Sequence, residues 1–338
     1  MAVPSRARAR EIPGYRRELQ GLRALAVGLV VVHHVWVNRV SGGVDVFFLV
    51  SGFLLTGGLV RAAERGDLDL RRQYRRTALR LVPAAAVVLV CTAAASALVL
   101  PEGRWSRTLR EIVAAAVFAE NWQLAADSVD YAARTNLASP AQQFWSLSVQ
   151  GQVFALWPLL IALVALACRE PDEVRRRASV VLLAVFGISL AYSVALTATN
   201  QPLAYFHTLT RLWEFAGGGL LALHGHRLPR IAATPRIRDA AGWTGVSGLV
   251  ACGLVMPVAA VFPGYAALWP TGCAALVLIA GHTGGAGRLL ATPIARYLGD
   301  LSYPLYLWHW PLLVLHLHAS QREEVGLRSG IAVIAASL

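Results

Sequence analysis

The chain has no lysine; all 31 of its basic residues are arginine. Charge of either sign is scarce, at 15% of 338 residues against about 25% in an ordinary soluble domain, whereas 56% of the residues are hydrophobic. That scarcity excludes a soluble globular domain and points to a polytopic membrane protein. A net charge of +12 could serve nucleic acid, but the arginines fall in short stretches between apolar runs. They read as topology signals, and no nucleic-acid partner is expected. Cysteine is limited to Cys91, Cys168, Cys252 and Cys273, in or beside apolar segments without C-x-x-C spacing, which argues against a disulfide framework or a zinc site. A cleavable signal peptide is not expected either, because Arg23 interrupts the first apolar run and no A-x-A site follows a short core.

A membrane span needs roughly 17 to 25 mainly apolar residues. Candidates lie near 20–38, 43–62, 79–100, 146–167, 178–198, 203–224, 241–260, 265–282 and 297–318, and a tenth apolar run at 331–338 stops short of a span, so the C-terminus reads as truncated. The expected fold is all-α, with about ten transmembrane helices around a central cavity. Arginine bias sets the orientation: "PSRARAREIPGYRR", "RRQYRRTALR" and "CREPDEVRRR" alternate with arginine-free loops such as "TNQPLAYF", which predicts a cytoplasmic N-terminus. Residues 1–19 form a basic cytoplasmic segment and 20–338 the transmembrane domain. The apolar core of 108–131 is short, and counting it as a span would turn "CREPDEVRRR" outward, so 101–144 is expected as one external connection.

Ionisable side chains inside spans are costly and read first as functional. Arg23 and His34 are eleven residues apart, which on a helix places them within about 20° of one face and about 16 Å apart along the axis. Arg23, near the cytoplasmic end, can hold a phosphate or carboxylate or simply snorkel. In "SGGVDVFFLVSGFLLT" a short outer turn should return Asp45 to the level of His34, where a carboxylate would raise the basicity of an imidazole poised to take a hydroxyl proton. The alternative for Asp45 is an N-cap. Arg211 and Glu214, three apart, can pair as a clamp lining the cavity, with direct acceptor contact the lesser alternative. His309, between Trp308 and Trp310, fits either a ligand contact or an interhelical hydrogen bond. The pairs His224/His226 and His316/His318 point about 200° apart on a helix, so no metal site is expected.

"LQGLRALAVGLVVVHH" followed by "GGVDVFFLVSGFLLT" resembles the opening of the acyltransferase 3 family, membrane enzymes that O-acylate sugars and other exported acceptors. The resemblance continues through "RRTALRLVPA", "FWSLSVQGQVFALWPLL", "LTRLWEFAGGGLLAL" and "YLGDLSYPLYLWHWPLL", and so covers nearly the whole chain. It implies His34 as the catalytic residue and acyl-CoA as the cytoplasmic donor, with acetyl the acyl group. The phosphates of CoA would meet Arg23, Arg76 and Arg80, although anchoring of the inner face explains the last two equally well. Thr77 stands where the family commonly has a further arginine. Within the fourth motif, Trp145, Ser146 and Gln150 fall at the acceptor or thioester. Where the family usually has a His two residues before the Trp and Glu-Glu-Gln after it, this chain has Gln143, Gln150, Gly151 and Gln152, which leaves hydrogen bonding without proton transfer.

The sequence thus predicts a cell-membrane O-acetyltransferase, with a cell-envelope glycan or glycolipid favoured as acceptor over a small exported metabolite. His34, oriented by Asp45, would activate the acceptor hydroxyl, either for direct attack on the thioester or after an acyl-histidine intermediate. Two other classes stand beside this: a catalytically degenerate member serving as a binding or export partner, and a secondary transporter. Transporter halves usually repeat one another, and no correspondence links residues 20–167 to 178–318.

Overall fold

A computed structural model describes residues 16–37, 39–129, 138–225, 234–252, 254, 261–282, 284–322 and 324–338. Among these residues there is no β-strand. Five helical stretches are long and apolar enough to cross a membrane: Glu18–Val37, Gly43–Glu64, Leu70–Val99, Phe144–Leu166 and Pro171–Thr199. The first comprises α1, Glu18–Val32, and a π-helical turn, His33–Val37; the others are α2, α3, α6 and α7. Their outer faces carry apolar side chains that water would not tolerate in such number, Leu98 at 88% and Leu166 at 83% exposure among them, so the chain is a membrane protein covered by lipid.

The remaining expected spans are shorter or interrupted. The 203–224 stretch divides into α8, Gln201–Phe206, a 3-10 turn, Thr208–Thr210, and α9, Leu212–His224. The break is built locally: His207 is extended, and its ring nitrogen accepts from Leu209 N at 3.2 Å. In place of 241–260 there is a helix Pro235–Ala251, with residues 253 and 255–260 outside the described set. The 265–282 stretch is a 3-10 turn followed by Leu268–Ala280, and the 297–318 stretch divides into Pro293–Asp300 and Ser302–Ser320. Between α3 and α6, two short helices, α4, Trp105–Ala116, and α5, Glu120–Val129, are separated at Phe118, whose φ is +57°.

Helix α2 lies at the centre, with 67% of its apolar window buried, more than any of the other four. It meets α9 backbone to backbone: a Cβ on Gly52 would stand 2.0 Å from the carbonyl oxygen of Phe215, and one on Gly218 would stand 2.0 Å from that of Leu49. No side chain larger than hydrogen fits either position. Helix α7 is tied to the same pair by Arg175, whose fork donates to both Glu64 oxygens at 2.8 and 3.0 Å and to the Leu223 carbonyl at 3.1 Å.

The short helices hold one unusual acid. Glu120 is fully buried, and burial, reinforced by the charges of Glu111 and Asp127 and by a hydrogen bond to the Glu111 carboxylate, pushes its carboxyl up to about 10. The folded chain therefore keeps a proton that the unfolded chain loses near pH 4 to 5, so Glu120 subtracts stability as pH rises through neutrality. Glu120→Gln should raise the melting midpoint at pH 8 and flatten the decline between about pH 6 and 9, as read by thermal unfolding in detergent. A lower midpoint in the variant would mean that the carboxylate is ionised and favourably solvated.

Candidate functional site

Helix α3 begins where Asp69 accepts from Arg72 N at 3.0 Å, and this cap fixes the register of the first turns. Gln73, Arg76, Thr77 and Arg80 then recur at helical spacing along one face and line a cavity of about 560 Å³. Arg23 enters from α1, Ser51 from α2, Ser146 and Gln150 from α6, and Tyr303 and Tyr306 from Ser302–Ser320. Three guanidiniums face this space against one lining carboxylate, Asp300. Arg23 is held by the Gln20 amide oxygen at 2.9 Å, and Arg80 lies 5.9 Å from the centre of the Phe154 ring. Gln150 donates to Ser51 Oγ, and Ser146 Oγ lies 2.6 Å from the Tyr306 hydroxyl, which donates to the Gln143 carbonyl at 2.9 Å. A positive wall with oriented hydroxyls and amides beneath suits a phosphate-bearing ligand with a polar reactive end.

Five of the residues singled out from the sequence thus share one cavity: Arg23, Arg76, Arg80, Ser146 and Gln150. The other six fall into two neighbouring clusters. Asp45, Arg211, Glu214 and Trp145 form the first. The Arg211 guanidinium, 1% exposed, donates to Asp45 Oδ1 at 3.0 Å and meets Glu214 Oε1 at 3.2 Å, so the pairing expected of Arg211 and Glu214 is present. The rings of Phe48, Trp145 and Phe262 surround it at 5.4 to 5.8 Å. Phe48 also lines the cavity, so it is the shared wall.

His34 and His309 form the second cluster. His34 Nδ1 lies 2.9 Å from His309 Nε2, the rings inclined by 14°, and the Trp310 ring stands 4.7 Å from His34. Tyr306, on the cavity wall, has its ring 5.7 Å from that of His309. The expected pairing of Asp45 with His34 is therefore corrected: the imidazole is held by His309 and the carboxylate by Arg211. The reason is rotation about α2. Val44, Phe47, Phe48, Ser51, Leu54 and Leu55 make the cavity stripe, and Asp45, one residue or about 100° on from Val44, turns toward the start of α9.

Two neighbouring positions of the fourth motif, Gly151 and Gln152, have structural roles. Gly151 lies so close to Phe118 that a Cβ would stand 2.4 Å from its ring, leaving no room for a side chain. Gln152 donates to the Phe118 carbonyl at 2.9 Å and Asn121 Oδ1 at 2.8 Å, and accepts from Thr208 at 2.6 Å and Trp122 at 3.2 Å. Its amide is spent on joining α5, α6 and the 3-10 turn. Tyr306, Ser51 and Gln73 were missed from the sequence. The usable signals were the spacing of Gln73 with Arg76 and Arg80, and of Tyr303 and Tyr306 ahead of His309 on one helix. Among the described residues no group of three or more His, Cys, Asp or Glu side chains is placed to hold a metal ion.

The sequence model of a family described as an acyltransferase domain, Acyl_transf_3, matches residues 16–322. A relative from Komagataeibacter xylinus that carries the name membrane-bound transacylase BcsY is 33% identical over 304 residues, covering 89% of this chain and 73% of its own. The peptidoglycan O-acetyltransferase OatA of Listeria monocytogenes is 26% identical over 342 residues, covering 96% of this chain and 53% of its own. The O-acetyltransferase OatA of Staphylococcus aureus is 28% identical over 316 residues, at 89% and 51%. The chain spans about half the length of these last two. No solved structure matches it.

Proposed function

Because this chain belongs to the acyltransferase 3 family, we propose that it is a multi-pass cell-membrane enzyme that moves an acetyl group from cytoplasmic acetyl-CoA to a hydroxyl of a cell-envelope glycan or glycolipid. In this reading about ten segments cross the membrane, residues 1–19 lie in the cytoplasm, and 101–144 lie outside. The observation that carries it is the convergence of Arg23, Arg76 and Arg80, from two helices, on one cavity that also holds Ser146 and Gln150. The arginines meet the phosphates of CoA, and the pantetheine arm runs toward the hydroxyls and amides beyond them. His34 takes the proton of the acceptor hydroxyl as its oxygen attacks the thioester carbonyl, and the thiolate leaves as CoA. Trp145, Arg211 and Glu214, walled off by Phe48, shape the acceptor side. The glycan acceptor is favoured by the peptidoglycan enzyme among the relatives.

Purified protein should release CoA from acetyl-CoA in an acceptor-dependent way; a protein that binds acetyl-CoA and never releases CoA with any glycan acceptor would be a binding partner. Arg76→Gln, Arg80→Gln and Arg23→Gln should each weaken acetyl-CoA binding by about one to two orders of magnitude, since a charge-assisted contact is worth roughly 1.5 to 3 kcal/mol. Affinity for a dephosphorylated CoA should fall much less in the variant that faces the missing phosphate. Calorimetric titration of both ligands decides it, and a variant set in which every substitution costs the two ligands equally would remove the phosphate assignment.

A further inference from the structure

Resting on the reading of His34 as the base, we infer that His309 is its positioning residue: it selects the tautomer of His34 and leaves Nε2 as the nitrogen that receives the acceptor proton. His309, wholly buried, has its Nδ1 3.0 Å from the backbone carbonyl oxygen of Leu305, one turn earlier. A carbonyl can only accept, so Nδ1 of His309 carries the hydrogen. A neutral imidazole has a single N–H, and Nε2 of His309 is then an acceptor. The group 2.9 Å from that nitrogen is His34 Nδ1, which must therefore donate. By the same count His34 Nε2 is left with its lone pair.

Two further contacts hold this arrangement in place. The Trp310 ring stands 4.7 Å from that of His34 in an edge-on contact and is itself fixed by donating Nε1–H to the Ser139 carbonyl at 2.8 Å. His33, the neighbour in sequence, has its Nδ1 2.8 Å from the Leu29 carbonyl of its own helix, so it is tied back where His34 reaches across to another helix. Both histidines open the π-helical turn His33–Val37, and as adjacent residues on a helix they point about 100° apart. During transfer the acceptor O–H bond breaks, its proton moves to His34 Nε2, and the new C–O bond forms as the C–S bond of the thioester breaks. The proton then passes from Nε2 to the leaving sulfur. Throughout, Nδ1–H of His34 stays on His309, whose own protonation does not change.

The test joins a spectroscopic readout to a rescue. Nuclear magnetic resonance of isotopically labelled histidine in lipid nanodiscs, with the His34 signal identified by its loss in His34→Ala, should show His34 protonated on Nδ1 and bare on Nε2. In His309→Phe this signal should become a mixture of tautomers, and kcat should fall by about one to two orders of magnitude with acetyl-CoA affinity retained. His309→Gln, whose amide oxygen can accept from His34, should recover about tenfold of that loss. A wild-type His34 bare on Nδ1, or equal losses in the Phe and Gln variants, would overturn the inference. The outcome is separable from the base assignment: an Nδ1–H tautomer found together with full activity of His34→Ala would sink the base and leave the tautomer standing.

Discussion

His34→Ala should lower acceptor-dependent CoA release by about two to four orders of magnitude, while His33→Ala keeps most of it. The two side chains are adjacent in sequence and differ in everything that bears on proton transfer. His33 is buried at 1% exposure, bonded at Nδ1 to the Leu29 carbonyl, with its Nε2 shut in without a partner. His34 is half-buried, held across the helix interface by His309. Removing His33 deletes a local tie; removing His34 deletes the proposed proton acceptor. Steady-state assays on both variants, with matched melting midpoints as the control for folding, make the comparison. Equal losses in two well-folded variants would abolish the distinction.

Arg211→Gln should be the most destabilising single change at the site, costing about 3 to 5 kcal/mol, because it leaves Asp45 and Glu214 buried without their shared cation. The three rings around the guanidinium lose their cation in the same step. Arg211→Lys should recover only part of the loss, since one ammonium cannot span two carboxylates as the planar fork does. Adding Asp45→Asn and Glu214→Gln to Arg211→Gln should restore stability toward wild type by removing the stranded charges. Thermal unfolding in detergent reads all of these, and a triple variant no better than Arg211→Gln would show that packing by the guanidinium, not charge, is what Arg211 supplies.

Much of this site could be read from the order of residues. Arg76 and Arg80 are four apart, and the helix that carries them runs uninterrupted from Leu70 to Val99, so their common face followed from spacing alone. Arg211 and Glu214 paired for the same local reason. What could not be read was rotation between helices. A short turn returns Asp45 to the right depth, but nothing in the turn says which way α2 is rolled, and the roll aims Asp45 at Arg211. The partner of His34 lies 275 residues away, beyond the reach of any local pattern. Apolar runs likewise mark where chain can lie in lipid without showing where a helix breaks: the 203–224 run is apolar enough throughout, and its interruption at His207 comes from a side chain bonding to the backbone two residues on.

The contact of Gly52 with Phe215 and of Gly218 with Leu49 has a mechanical consequence. Side chains that interdigitate can change rotamer and let two helices slide; two main chains pressed together have nothing to rearrange. Helices α2 and α9 consequently travel as one rigid strut, with Asp45, Arg211 and Glu214 clasped together at the end where both helices begin. On the proposed function, admission of a bulky acceptor would have to come from movement of other walls against this strut, and α3 and Ser302–Ser320, tied to each other by Tyr303 donating to the Leu81 carbonyl at 2.8 Å, are two that line the cavity. Nor can a larger residue at either glycine be accommodated by trimming a neighbour, because the obstacle is the peptide backbone itself.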